Sequence, residues 1–453
     1  MNFNMKADIL VAEIGSTTTV VNAFDAIDSD KPIFLGQGQA PTSVGMGDVT
    51  IGLFRSIDNL KENMKTDTLE WNEFFASSSA AGGLKMTVHG LVYDMTVRAA
   101  KEAALGAGAI IKYITAGKLR KSDLNKIKEI DPNLILVAGG VDYGERDTAL
   151  YNMELILNMR LKTPIIYAGN IENRQEIMDI TKDANQKIYM VDNVYPRIDD
   201  LNITPARQAI QQAFEEHITR APGMAKIKEL VNGPIIPTPG AVMEASMSLY
   251  EDIGDLLVVD VGGATTDVHS VTEGSDEIQK ILISPEPAAK RTVEGDLGVY
   301  INLHNIIEYL EYDKLLEEFG KDIEKFIRDP KPIPETNMEK SFIEKITHEA
   351  VSIALRRHAG KLRSFYGPSG KKTIAEGKDL TNVKWVIGTG GALTRLSGRE
   401  LLKKALSANT GSLYPKGNFS IFIDNHYIMA SLGVLSKKYK RAAVSLLKES
   451  LSL

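Results

Sequence analysis

Two stretches of this chain repeat one pattern. Glu13-Ile14-Gly15-Ser16-Thr17-Thr18-Thr19-Val20 and Asp260-Val261-Gly262-Gly263-Ala264-Thr265-Thr266-Asp267-Val268 each end an apolar run. Each then reads acid, apolar residue, glycine and small hydroxyl residues before a second apolar run begins. Such a segment reads as strand, tight turn, returning strand. Two copies roughly 250 residues apart imply a duplicated domain pair that faces a shared cleft.

The spacing between the copies points to an α/β chain. Ile9 to Ile14 reads as a buried strand, Pro32 to Ala40 as a third strand of the same sheet, and Asp48 to Met64 as a helix with Ile51, Phe54, Ile57 and Leu60 on one face. From Leu84 the pattern changes. Apolar runs at Met86–Val92, Ile110–Ile114, Leu134–Ala138, Pro164–Tyr167 and Lys187–Val191 alternate with helical stretches, one of them opening at Ser122 as a candidate N-cap. That alternation predicts βαβ units and a doubly wound parallel sheet. The expected organisation is a first lobe beginning at 1–83, an inserted domain at 84–200, connecting helices at 201–255 and a second lobe at 256–453. In the second lobe, Tyr309–Arg328, Asn337–Leu362 and His426–Leu447 read as helices. Trp385–Ile387 and Phe419–Ile423 read as strands, and Lys371–Asp379 as a polar loop.

Composition narrows the chemistry. The chain has 453 residues, 53 Lys+Arg against 59 Asp+Glu and a net charge of −6. That balance argues against a protein held on nucleic acid by phosphate contacts. With no cysteine, disulfides, a thiolate nucleophile, a Cys-zinc site and a Cys-ligated iron–sulfur cluster are excluded. No apolar run reaches the ~18 residues of a membrane span. The N-terminal residues lack a cleavage site and run directly into a strand, so no signal peptide is expected and the location is expected to be cytoplasmic. His89, His269, His304, His358 and His426 show no zinc-binding spacing.

The repeated turn suits a polyphosphate. Glycine lets backbone N–H groups approach anionic oxygens, and Thr hydroxyls add donors. Gly15, Ser16, Thr17 and Thr18 form one candidate phosphate turn; Gly262, Gly263, Ala264, Thr265 and Thr266 form the other. Glu13 and Asp260, at the strand ends, are the candidate catalytic acids and would hold Mg²⁺ through water. Gly388-Thr389-Gly390-Gly391, between a strand and a helix near Ala392, is placed to take the nucleoside side of ATP. Each motif alone is an ordinary turn; the three in this order are what single out a nucleotide. No Walker A lysine and no dinucleotide Gly-x-Gly-x-x-Gly after the first strand is present. Ala138-Gly139-Gly140-Val141-Asp142 follows a strand as ligand-binding turns in doubly wound sheets do, and also as structural turns do. Lys290 to Asp296 is either a capped helix start or part of the cleft.

Together these motifs resemble those of the acetate kinase, sugar kinase, Hsp70 and actin superfamily. Glu13–Thr19 resembles its first phosphate motif, Asp260–Asp267 its second, Gly388–Gly391 its adenosine motif and Pro237–Ala241 its first connecting segment. The resemblance implies duplicated ribonuclease-H-like lobes around a nucleotide cleft, interrupted by the doubly wound insertion. Within the superfamily the sequence is similar to the glutamate mutase accessory family, MutL or GlmL, which is unrelated to the mismatch-repair protein of that name. The phrases that carry this are Val11–Thr19, Ala80–Met86 and Arg291–Gly298.

That resemblance implies a Mg²⁺-dependent ATPase that reactivates an adenosylcobalamin-dependent mutase of the glutamate or amino mutase type. ATP would open and close the lobes, with the inserted domain touching the mutase. No nucleic acid and no membrane partner is implied. The oligomeric state is left open, a homodimer included. Two departures matter: Glu13 stands where the family usually has Asp, and no acid occupies the first connecting segment, so no water-activating residue is assigned and hydrolysis is expected to be slow. Two other activities use the same motifs. A metabolite kinase needs a carboxylate base, for which Asp142, Glu294 and Asp296 are candidates. A hydantoinase-like hydrolase shares the Gly-Gly-x-Thr-Thr-Asp phrase. A dehydratase activator that passes electrons through an iron–sulfur cluster is excluded by the missing cysteines.

Overall fold

A computed structural model describes residues 4–15, 17–43, 46–79, 84–182, 186–218, 222–331, 333–367, 370–408 and 411–453. The chain divides into two compact units, Met1–Ala241 and Val242–Leu453.

In the first unit, β1 (Asn4–Ile14), β2 (Thr18–Asp25), β3 (Ile33–Pro41) and β4 (Thr68–Ser78) belong to one sheet. β1 and β2 form the hairpin that the Gly-Ser-Thr turn predicts, and β4 lies parallel on the other side of β1. The helix Thr50–Met64 covers this sheet with Leu53, Ile57 and Leu60. It starts where the Asp48 carboxylate accepts hydrogen bonds from Thr50 N (2.9 Å) and Thr50 Oγ1 (2.7 Å), a side-chain cap on open amides.

The chain then builds a second sheet from β5 (Lys85–Gly90), β6 (Ile110–Ala116), β7 (Leu134–Val137), β8 (Ile165–Tyr167) and β9 (Ile188–Met190). All five are parallel, in the order β6-β5-β7-β8-β9. That is the flavodoxin-like doubly wound order. Both faces are buried, as parallel sheets require: Leu134 and Leu136 enter one core with the helix Arg98–Gly106, while Ile135 and Val137 enter another with Met153, Ile156 and Ile177. The helix expected to open at Ser122 begins at Lys121, because Asp123 Oδ2 accepts from Arg120 N at 2.7 Å. After the helix Thr204–Ile218 the chain returns to the first sheet as β10 (Ile236–Pro237), beside β4.

The second unit repeats the first sheet. β11 (Leu256–Val261), β12 (Thr266–Val271) and β13 (Ala289–Glu294) form an antiparallel meander. A separate hairpin follows, β14 (Lys361–Gly367) with β15 (Gly370–Glu376); β16 (Trp385–Thr389) and β17 (Ser420–Ile423) then join parallel to β11. The two five-stranded orders, β3-β2-β1-β4-β10 and β13-β12-β11-β16-β17, are the same topology. This is the ribonuclease-H-like arrangement expected for both halves, so the duplication in sequence is a duplication in fold.

Three local expectations need correction. Lys371–Asp379 is mostly strand β15, not loop, because its partner β14 satisfies its backbone. The helix expected to reach Leu362 ends at His358, and Lys361 starts β14. Tyr309–Arg328 is two helices, Tyr312–Phe319 and Asp322–Arg328, broken at Gly320. Among the described residues no helix is long and apolar enough to cross a membrane.

Candidate functional site

The repeated turns close identically. Gly262 N donates to Thr265 O at 2.9 Å, and Gly15 N donates to Thr18 O at 3.0 Å. In the first unit, Glu13 is buried and stands opposite Val20 and Ser77 in the neighbouring strands. Thr17 O accepts from Thr42 N, and Thr19 Oγ1 pairs with Thr42 Oγ1 at 2.9 Å. Ser16 and residues 80–83 lie outside the described residues.

In the second unit the turn is braced from behind. Val299 N donates to Gly262 O, Tyr300 N and Ile301 N both donate to Gly263 O, and Asn302 Nδ2 donates to Ala264 O at 2.8 Å. Thr266 Oγ1 donates to Leu297 O at 2.7 Å. The turn's carbonyls are thus occupied, while the N–H groups of Gly263, Ala264 and Thr265 have no acceptor among the described residues. Successive open amides of this kind form an anion-binding nest.

Asp260 is half-buried at the end of β11, level with Thr389 in β16 and Asp267 in β12. Within Gly388–Gly391 the roles divide. Gly388 packs against Leu393, Leu402 and Ile423. Thr389 is buried, and its Oγ1 donates to Asp424 Oδ2 at 3.0 Å; the same carboxylate oxygen caps the amides of Ile428 and Met429. The Thr389 hydroxyl therefore serves the fold. Gly390 adopts φ +84° against Asp260. Gly391 lines a cavity of about 300 Å³ together with Val261, Gly263, Tyr300, Ile343 and Arg395. The cavity joins the Gly262–Thr266 turn to the Gly388–Gly391 motif inside one unit, and its size is that of a small-ligand pocket. A larger groove around His348 and Lys404 shares no residue with either motif.

Charged groups stand behind the turn. Asp267 and Arg291 form a buried pair at 3.3 Å; burial raises the Asp267 pKa, opposed by the Arg291 charge. Burial likewise raises Glu294, which accepts from Arg357 Nη1 at 2.5 Å, while Asp296 accepts from the same guanidinium at 2.9 Å. Lys290–Asp296 is therefore not a helix start: Ala289–Glu294 is strand β13, and its exit loop carries the braces on the turn. Among the described residues there is no cluster of three metal-ligating side chains. Asp260 as one carboxylate beside an open amide nest and a cavity fits a hydrated Mg²⁺ that travels with a polyphosphate, since Mg²⁺ keeps most of its waters.

Sequence reasoning missed Tyr300, Asn302 and Arg395. Arg395 follows the Gly388–Gly391 motif by four residues, and the signal near Tyr300 and Asn302 was the Arg291–Gly298 phrase, whose Gly298 abuts Ala264: a Cβ there would stand 2.5 Å from Ala264 Cα. Asp142, a kinase-base candidate, is engaged elsewhere. Its Oδ1 accepts from Ile171 N and Asn193 Nδ2.

The family model described as "MutL protein" matches residues 9–451. "Protein MutL" of Clostridium tetanomorphum is 35% identical over 470 aligned residues, covering 98% of each chain. Among solved structures, a nucleotide-free acetone carboxylase gives a TM-score of 0.41 at 11% identity, with 95% of this chain and 70% of that chain covered. A nucleotide-free diol dehydratase-reactivating factor gives 0.36 at 11% identity, with 95% and 99% covered. Both scores fall below the level generally taken for a shared fold.

Proposed function

This chain belongs to the MutL protein family, and from that premise we propose that it is an ATP-binding, slowly ATP-hydrolysing accessory protein that reactivates an adenosylcobalamin-dependent mutase of the glutamate or amino mutase type. The observation that carries the nucleotide part is the nest at Gly263, Ala264 and Thr265, opening beside the cavity that Gly391 lines. In this reading Gly262, Gly263, Ala264, Thr265 and Thr266 take phosphate oxygens, Gly391 and its neighbours the nucleoside, and Asp260 the hydrated Mg²⁺. Gly15, Ser16, Thr17 and Thr18 would take phosphate oxygens at the turn that Gly15 N and Thr18 O close, with Glu13 as its acid. Mg²⁺ would supply charge neutralisation of the phosphates.

ATP can do work on a partner only if it binds two conformations of this protein with different affinity. The test is reactivation. A mutase inactivated by damaged cofactor is mixed with this protein, ATP, Mg²⁺ and fresh adenosylcobalamin. Turnover should return, with phosphate released free in solution. A phosphorylated small molecule made well above background hydrolysis would make the protein a kinase instead.

A further inference from the structure

The inserted sheet ends in an unusual edge. Because β5, β7, β8 and β9 run parallel, the segments that follow them emerge on one side. Each exposes a large apolar side chain there. Tyr93 is 58% exposed after β5, Tyr143 80% after β7 and Ile198 70% after β9; Val92 and Ile171 are also exposed. Soluble surfaces carry single exposed apolar residues freely, but a row along one edge marks an interaction site.

The edge is held rigid. Tyr143 has φ +62°, a left-handed conformation that costs a bulky residue on the order of 1 kcal/mol. It is kept there by Asn170, fully buried, whose Oδ1 accepts from Tyr143 N at 3.2 Å. Asn193, also buried, donates to Gly140 O and Asp142 Oδ1, each at 3.0 Å. Asp142 N donates to Pro196 O at 3.0 Å, so the loops after β7, β8 and β9 are stitched together. Tyr93 opens a π-helical turn, Tyr93–Val97, a geometry frequent at functional sites.

Charge defines the partner. The four connecting segments, each counted to the first residue of its α-helix, carry eight carboxylates against Arg98, Arg146, Arg174 and Arg197. Two of those arginines are already paired within the edge, with Glu172 (3.9 Å) and Asp192 (2.6 Å). At the β6 end the sign reverses with Lys118, Arg120 and Lys121, and Lys118 Nζ sits 5.3 Å from the Tyr151 ring centroid.

We infer that this edge is the docking surface for a protein partner that presents an apolar patch flanked by lysines and arginines. Resting on the reading above, that partner is the mutase. Aromatic anchors ringed by complementary charge are the usual form of an interface hot spot.

The experiment uses the full chain and a purified adenosylcobalamin-dependent glutamate mutase, with affinity measured by interferometry and ATP affinity measured in parallel. Tyr143→Ala and Ile198→Asp should each weaken mutase binding at least tenfold and leave ATP affinity unchanged. Asp199→Lys/Asp200→Lys should weaken it too and reduce its salt dependence. If the wild-type chain binds the mutase and these variants bind equally well, the surface proposal is wrong while the accessory role stands. A wild-type chain without affinity for the mutase overturns both. Self-association of the chain alone that these substitutions abolish would make the occupant a second copy and overturn the partner proposal.

Discussion

Gly390 is pressed against Asp260. At φ +84°, a Cβ on Gly390 would lie 2.6 Å from the amide nitrogen of Val261 and closer still to Asp260 Oδ1. The Gly388–Gly391 motif and the acid that ends β11 thus meet through a contact that only glycine permits.

Gly390→Ala should therefore fail twice. A backbone at φ +84° and ψ 152° is essentially restricted to glycine and costs about 1–3 kcal/mol for a residue with a Cβ, and the methyl displaces Asp260. We expect a fall of several degrees in Tm and at least a tenfold loss of ATP affinity, read by calorimetry on the same sample.

Gly262→Ala and Gly263→Ala separate folding from binding. A Cβ at Gly262 meets only Thr265 O at 3.4 Å, and at Gly263 only the Tyr300 side chain, at 3.3 Å and beyond. Both variants should fold with nearly unchanged Tm. A side chain in the proposed phosphate turn would nevertheless hinder the close backbone approach of a phosphate, so ATP affinity should drop. Unchanged affinity in either would remove the phosphate role of the turn. Gly298→Ala, whose methyl collides with Ala264 backbone, should by contrast destabilise the unit.

If the Asp260 carboxylate serves the cation as proposed, Asp260→Asn should weaken Mg·ATP more than ATP without metal. Glu13→Asp is expected to keep or raise ATP turnover. Equal losses with and without Mg²⁺ for Asp260→Asn would assign the carboxylate to the fold alone.

Arg291→Ala leaves Asp267 buried without its cation. Removing one partner of a buried pair costs about 3–5 kcal/mol, measurable as a lowered urea midpoint. The double replacement Asp267→Leu/Arg291→Met should recover most of that loss, since apolar groups of similar volume substitute well for buried ion pairs. A double variant as unstable as Arg291→Ala would contradict this.

His89 gives the inserted sheet a pH dependence. It is fully buried, hydrogen-bonded to Thr87 and Thr115, and burial lowers its pKa to about 4. In the unfolded chain an imidazole titrates near 6.5. Between these values the unfolded chain binds a proton that the folded one does not, so stability is lost as pH falls from about 6.5 to 4 and levels off below. The full effect is about 3 kcal/mol. His89→Gln should flatten that slope, checked by hydrogen exchange of the β5–β9 amides at pH 7 and pH 4.5.

Much of this was legible from local pattern. The strands β1, β2, β11 and β12 and their turns follow from buried apolar runs that end in Gly and Thr, and the alternating runs after Leu84 announce a parallel sheet. Strand β4 was not legible: its residues Thr68–Asn72 are mostly exposed and polar, and it is a strand because β1 pairs with it. The β14–β15 hairpin was missed for the same reason, as Lys361, Arg363, Lys371 and Lys372 carry no periodic apolar signal.

The sequence by itself determined that the chain is a duplicated α/β protein with two Gly-Thr turns and a doubly wound insertion, because turn chemistry and apolar period are local properties. Tertiary structure decided what each motif residue does. It turned Thr389 inward to Asp424, set Gly390 against Asp260, and left the amides of Gly263, Ala264 and Thr265 open while Val299–Asn302 occupy the carbonyls of Gly262, Gly263 and Ala264. Those roles depend on which distant backbone groups satisfy which donors, and hydrogen-bond partners more than thirty residues apart leave no mark in the order of the residues.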